Sequence, residues 1–422
     1  MRLKRLLFSV VAAVIFFACS KHNSVTTPGS TSGTGTPQVV SLSSFSPASA
    51  PVDSTVTIVG ANFSPNITAD TVRFDDTPAT VKFATDSELV VIVPAGTSTG
   101  KITVTVGNQT ATSANNFIVS DQWTLKSAYP GTVMGYTVSF TVGTKLYIGL
   151  GEGAFGASMG TWLQEFWQYD AVSGVWTRKA NYPGMTTGYG IGFSVGGYGY
   201  VFNNPDSNGA PGLWQYDTAT DSWVVKASLP LGPEQGMVAF GVNGYGYVGL
   251  GTLDADFNNT IWQYDPTTNT WSQKNNFPGR ATSFTASFVV GNYAYVGTGE
   301  VGLNTDSATT AFYQYNPATD TWTQKGNFPG GARNSATGFS IGNMGYLGTG
   351  LDINGHYLSD FWQYNAASDS WARKSDFGGG GRFAAAGFSG ANLGYMGFGQ
   401  GFDQISPNEA TNVFFDLWQY QP

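Results

Sequence analysis

From residue 38 onward the chain is written in short runs in which apolar and polar residues alternate, the period of a half-buried β-strand. Thr55-Val56-Thr57-Ile58-Val59 ends at Gly60, Thr71-Val72-Arg73-Phe74 ends at the Asp75-Asp76 turn, and Leu89-Val90-Val91-Ile92-Val93 ends at Pro94. Lys101-Ile102-Thr103-Val104-Thr105-Val106 follows, then a last strand reaching Phe117-Ile118-Val119. Six or seven short strands in about eighty residues predict a small two-sheet sandwich over residues 38–119.

From residue 121 the pattern repeats itself. Each unit carries an aromatic strand, a short turn and a tryptophan: FWQYD then Trp176, LWQYD then Trp223, IWQYD then Trp271, FYQYN then Trp322, FWQYN then Trp371, and a final LWQY ending at Tyr420. Each unit also holds one tyrosine strand, at Tyr147, Tyr200, Tyr247, Tyr295, Tyr346 and Tyr395. The spacing of about fifty residues is that of a propeller blade, so six blades are expected. The array stops after an aromatic strand that has no tryptophan strand behind it, whereas Gln122-Trp123-Thr124-Leu125-Lys126 is a tryptophan strand with nothing before it. The two fragments complete each other, and residues 122–126 are predicted to be the outer strand of the last blade, closing the ring without a disulfide.

These residues carry two resemblances. Ser46-Pro47, VTIVGANF at 56–63 and VPAGTSTGKITVTV at 93–106 resemble an IPT/TIG domain, an immunoglobulin-like module that serves as a spacer or as a contacting unit. The repeats over 121–422 resemble kelch repeats, especially bacterial proteins related to the central domain of galactose oxidase. The expected fold is therefore all-β: an immunoglobulin-like sandwich followed by a six-bladed kelch β-propeller.

Composition agrees, with Gly 56, 15% aromatic and 11% charged residues, too little Ala, Glu and Lys for helices. A net charge of −8 with no basic cluster in the mature chain excludes a nucleic-acid partner. Arg2, Lys4 and Arg5 precede an apolar run from Leu6 to Ala18, and Cys19 follows. Residues 1–19 read as a signal peptide whose end resembles a bacterial lipobox, with Cys19, the only cysteine, as the lipidated residue and the membrane anchor. Residues 20–37, rich in Ser, Thr, Gly and Pro, read as a flexible tether. The expected location is the cell envelope, and Ser20 after the cysteine favours the outer membrane by resemblance to lipoprotein sorting.

Catalytic chemistry is sparse. His22 lies in the tether and His356 stands alone, so a Ser-His-Asp triad or a Cys/His zinc site has few ways to form, and no metal or cofactor is implied. The galactose-oxidase copper site needs histidine ligands and a Tyr–Cys crosslink that this propeller cannot supply. The stretches 254–258 and 352–355 offer oxygen ligands but lack the spacing of a full calcium loop. Lysine follows every outer-strand tryptophan by three residues (Lys126, Lys179, Lys226, Lys274, Lys325, Lys374), which reads as protection of a sheet edge or as a cation ring for an acidic partner.

Aligning the repeats on Phe140, Phe193, Phe240, Phe288, Phe339 and Phe388 places Met134, Thr187, Glu234, Thr282, Arg333 and Arg382 at one equivalent position, with Arg280 nearby. Glu152, Glu300 and Gln400 share a second position. Both lead toward one mouth of the central channel. They are candidate ligand groups there, with arginine suited to a carboxylate on an acidic sugar or peptide; the competing reading makes the arginines framework. The expected role is a non-enzymatic binding or scaffold module for a glycan or protein partner. The alternative is a mutarotase or epimerase resembling the six-bladed kelch enzymes that act on N-acetylneuraminate.

Overall fold

A computed structural model describes residues 39–422 except 52–53, 95–96, 98, 121, 133, 154–161, 185–189, 204–211, 232–233, 254–255, 303–306, 391 and 402–411. Cys19 and the tether, Thr187 and the start of the 254–258 loop lie outside the described residues. The described secondary structure is β throughout.

Residues 41–119 form two packed sheets. Ser41–Ser46, Thr55–Ala61, Glu88–Ile92 and Thr80–Ala84 make one; Ser49–Ala50, Gln109–Val119, Gly100–Val106, Asp70–Phe74 and Thr77–Pro78 make the other. The alternation in sequence becomes an alternation of faces. Val56, Ile58, Leu89 and Val91 from the first sheet meet Val72, Phe74, Ile102 and Val104 from the second in one core.

The remainder is six four-stranded antiparallel sheets, the blades of a β-propeller. We letter the strands a to d from the channel outward. The inner strands a are Val138–Val142, Ile191–Val195, Val238–Val242, Ala286–Val290, Thr337–Ile341 and Ala386–Gly390, for blades 1 to 6. Each packs beside the next and the sixth beside the first, which closes the ring. The outer strand of blade 6 comes from before blade 1: Gln122–Leu125 pairs antiparallel with Leu417–Gln421, Trp123 opposite Tyr420.

The repeated letters have separate jobs. In blades 2 to 5 the strand-c glutamine amide donates to the strand-b tyrosine hydroxyl, as Gln263 does to Tyr247 at 2.6 Å and Gln363 to Tyr346 at 2.7 Å, while in blade 1 the Tyr147 hydroxyl donates to the Gln168 side-chain oxygen. The strand-c tyrosine after the glutamine donates to an Asp or Asn in the c–d turn, Tyr216 to Asp221 and Tyr364 to Asp369. That same carboxylate accepts a backbone N–H from the preceding blade, Ala180 to Asp221 and Gly326 to Asp369. The Asp or Asn ending strand c caps its own turn, as Asp217 does by accepting the Ala219 N–H.

The tryptophans stitch blade to blade. Each strand-d indole N–H donates to the carbonyl one residue after the lysine of the preceding blade: Trp176 to Ser127, Trp223 to Ala180, Trp271 to Ala227, Trp322 to Asn275 and Trp371 to Gly326. Trp123 completes the circle by donating to Ser375, and its ring packs edge-on against Phe361 and Phe377 at 4.9 and 4.8 Å. The lysines therefore sit at the outer strand ends, where Lys179 also meets Asp221 at 3.4 Å.

Candidate functional site

The six strands a present small residues to the channel because they converge there. A Cβ on Gly241 would stand 2.0 Å from the Ser194 carbonyl oxygen of the neighbouring strand. Ser139, Ser194, Ser287, Ser340 and Ser389 line the passage, with no ionisable side chain among the described lining residues.

Just before strand a, in the five blades where this position is described, the chain turns through the left-handed region, four residues ahead of the aligned phenylalanine. Tyr136 (φ 52°), Gly236 (65°), Phe284 (54°), Ser335 (51°) and Ala384 (52°) all adopt it. The shared conformation serves a chain of backbone hydrogen bonds around the mouth: Phe284 N–H to Gly236 O, Ser335 N–H to Phe284 O, Ala384 N–H to Ser335 O, at 2.7 to 3.0 Å. For Ser and Ala the conformation is a modest cost; for Tyr136 and Phe284, with bulky side chains, it is a genuine strain of about 1–3 kcal/mol each. Gly236 makes room for the Phe284 ring, whose atoms stand 2.9 Å from where a Cβ would be.

These residues surround a cleft of about 210 Å³, completed by Thr137, Gly190, Ile191, Met237, Thr285, Ala336 and Ala385. Blades 1 and 4 are three steps apart in either direction around the ring, so Tyr136 and Phe284 stand on opposite sides of the mouth. Both are half-buried. Phe383 approaches Tyr136 with ring centroids 6.4 Å apart, and Tyr357 lies 5.7 Å beyond Phe383. The Thr137 and Thr285 hydroxyls are buried and make no hydrogen bond to the protein.

The residues expected to carry ligand chemistry lie elsewhere. Arg333 is 1% exposed and Arg382 0%. Arg333 pairs with Asp360 through both carboxylate oxygens, at 2.6 and 2.9 Å, and donates to the Thr349 and Gly330 carbonyls while its guanidinium covers the Phe328 ring. Arg382 does the same with Asp416, Phe398, Gly379 and Phe377, and packs on Phe414 from its other face. Asp360 and Asp416 each accept in addition the indole N–H of the strand-c tryptophan two residues on, Trp362 and Trp418. Of the two readings of Arg333 and Arg382, the framework one fits these contacts, and their place among the candidate ligand groups is corrected. Their charge is spent on an acid immediately before strand c, a residue type found there only in blades 1, 5 and 6.

Blades 3 and 4 lack this pair. Glu234 faces Thr260 in sequence register, and Thr282 faces Ala311. Glu234 is 6% exposed, so it does not stand across an open pore from Arg382 as the repeat alignment suggests. Burial, with Asp256 adding to it, pushes its carboxyl above the ordinary value. Buried hydroxyl and amide atoms without hydrogen-bond partners gather in these blades: Thr252, Asn258, Thr260 and the Trp262 indole in blade 3, then Thr282, Ser283, Thr285 and Thr298 in blade 4. In blades 5 and 6 the Arg382 Nε is the one such atom among the described residues.

The second equivalent position is brought to the mouth loops. Glu152 bridges to Gly135, Glu300 to Ser283 and Gln400 to Phe383, each extending the strand-b exit along the strand-a approach. Gln400 is buried. Glu300 is half-buried and its carboxyl is pushed up by burial. Arg280 is exposed, with its guanidinium beside Gly302. Asp352 spends its carboxylate on its own loop, accepting the Asn354 and His356 N–H groups and meeting His356 Nδ1 at 3.0 Å. Among the described residues no three acidic, histidine or cysteine side chains gather to hold a metal ion.

Sequence spacing missed the aromatic rim. The signal was there in the residue four places before each aligned phenylalanine, which reads Tyr, Tyr, Gly, Phe, Ser, Ala across the repeats while the frame around it stays constant.

Residues 41–126 match the IPT/TIG domain family. The match runs through Gln122–Leu125, the strand that pairs with the end of the propeller. The solved structure of YjhT superposes with a TM-score of 0.56 at 17% identity, covering 69% of this chain and 95% of that one. At that identity the likeness carries the propeller fold alone. No curated protein matches the chain. Solved chains matching it number 487, so the fold is too widely used to name a ligand.

Proposed function

We propose that this chain is a cell-envelope lipoprotein, anchored through Cys19, whose kelch-type propeller binds a glycan or protein partner at the channel mouth without turning it over. The observation that carries this reading is the rim: two bulky aromatic residues, Tyr136 and Phe284, are held in strained backbone on opposite blades, around a cleft. The turn itself is shared by every described repeat and is set by the hydrogen-bond chain around the mouth; what blades 1 and 4 add is an aromatic side chain at that position. The sandwich and residues 20–37 then act as spacer and tether, holding the propeller away from an outer-membrane surface.

Two measurements test the reading. Cys19→Ala should leave the protein out of the detergent phase and free of label from a fatty-acid probe; unchanged partitioning refutes the anchor. Tyr136→Ala should weaken binding of whichever partner the wild-type protein captures from a glycan array or a panel of envelope proteins, with little change in melting temperature. Ala already occupies the same position in blade 6 as Ala384, so the variant is expected to fold.

A mutarotase or epimerase is the second reading, favoured by Glu300, whose burial-raised carboxyl at a mouth loop has the character of a general acid. Anomer interconversion of N-acetylneuraminate followed by NMR decides it: acceleration that Glu300→Gln abolishes would replace binding by catalysis.

A further inference from the structure

Resting on the mouth as the binding site, we infer that the ligand it takes is one uncharged sugar ring, seated between Tyr136 and Phe284. The size of the cleft sets the first limit. At about 210 Å³ it falls below the roughly 300–1,000 Å³ of sites for drug-sized molecules, which leaves room for a single ring with its neighbours outside.

Charge sets the second limit. None of the described residues lining the cleft is an acid, lysine, arginine or histidine. Arg333 and Arg382 are enclosed with Asp360 and Asp416, and the exposed Arg280 is not among the described residues lining the cleft, so a ligand carboxylate seated there would be desolvated with no cation from that lining to meet it. The chain's net charge of −8 adds a repulsive field for anions.

The lining itself sets the third. Aromatic faces on opposite blades favour C–H surfaces, and a purely apolar ligand would satisfy them alone. The Thr137 and Thr285 hydroxyls, however, lie on those same two blades, next in sequence to Tyr136 and Phe284, and lack protein partners. Leaving them so costs free energy, and a turn of either side chain about its first torsion would bring the hydroxyl to the cleft wall, where a ligand hydroxyl recovers that cost. A pyranose presents C–H on its faces and hydroxyls around its edge, which meets both demands at once.

The test is calorimetric titration of the chain from residue 20 onward with lactose, cellobiose and N,N′-diacetylchitobiose, set against 3′-sialyllactose, digalacturonate and phenylalanine amide. At least one neutral sugar should bind, its acidic counterpart about tenfold or more weaker, and Tyr136→Ala or Phe284→Ala should each reduce affinity about tenfold. Thr137→Val, which keeps shape and removes the hydroxyl, should weaken the neutral sugar and leave phenylalanine amide unaffected. Stronger binding of an acidic sugar, still lost in Tyr136→Ala, overturns the neutral class and leaves the mouth as the site. Neutral-sugar binding that survives both aromatic substitutions overturns the mouth itself. Absence of sugar binding at millimolar concentration, or binding of phenylalanine amide alone, overturns the saccharide.

Discussion

In blades 5 and 6 the corner between the approach to strand a and the start of strand c is filled by a guanidinium sandwiched on a phenylalanine and closed by a carboxylate. In blades 3 and 4 the same corner holds Glu234 with Thr260, and Thr282 with Ala311, and the polar atoms around it go unmatched. The frame of stitched tryptophans is shared by the two pairs of blades. The comparison teaches that a repeated fold can copy its scaffold while dividing its buried polar pairing unevenly around the ring. Blades 5 and 6 are pinned at the mouth by an ion pair, and blades 3 and 4, which carry Phe284 and its Gly236 seat, lack that pin.

The largest expected effect breaks the pinned side. Arg382→Ala leaves Asp416 beside an empty cavity and strips two carbonyls of their donor, and should lower the stability of the propeller by about 3 kcal/mol. Thr282→Ala, at the equivalent place in blade 4, removes a buried methyl together with an unpaired hydroxyl and should change it by no more than about 1 kcal/mol. Urea titration followed by tryptophan fluorescence measures both, and equal losses would erase the distinction between the two pairs of blades.

A graft sharpens the contrast. Thr282→Arg together with Ala311→Asp should rebuild the pair over Phe277 and raise the melting temperature by about 2 °C, while Thr282→Arg alone should lower it, because a buried guanidinium then lacks its acid. Scanning calorimetry reads both shifts. A double variant no better than the single one would mean that the corner of blade 4 has a different shape.

The smallest effect is in pH. Burial raises the folded-state pKa of Glu300 above its unfolded value, so just above the ordinary carboxylate range the native state holds the proton more tightly than the unfolded chain. That contribution is lost as pH rises through the folded pKa. Glu300→Gln should therefore flatten the fall in stability above about pH 4.5 and be slightly the more stable at neutral pH. Parallel pH profiles for the two proteins would contradict this.

How far the sequence could be read follows from which residues repeat. The strand-d tryptophan recurs because its indole makes the same bond to the preceding blade in all six, and strand c with its capping Asp or Asn, six residues before that tryptophan, because most blades reuse its bonds; periodic chemistry is legible as periodic letters. The sandwich was equally open, since Val56, Ile58, Leu89 and Val91 declare a buried face by alternation alone. The arginines misled because distance along the chain does not say which way a side chain turns. Arg333 and Arg382 lie two residues from the rim, yet their partners, Asp360 and Asp416, stand 27 and 34 residues further on. Noticing that an acid before strand c accompanies the arginine in the same blades would have paired them. The left-handed turn at Tyr136 and Phe284 was hidden for a different reason. Its cause is a hydrogen-bond chain running from blade to blade, which no single repeat contains.

The seam between Gln122–Leu125 and Leu417–Gln421 also has a meaning in time. As the chain is synthesised, the outer strand of the sixth blade is made before any other part of the propeller. It must then wait, with Trp123 unburied, while nearly three hundred residues are added. The sandwich ahead of it can finish folding during that interval, since all its strand partners have already emerged. The ring cannot, because its longest-range pairing is also its last to become possible. Until Leu417–Gln421 arrives, five blades stand with an open edge on either side, a sticky intermediate whose lifetime is set by the speed of synthesis.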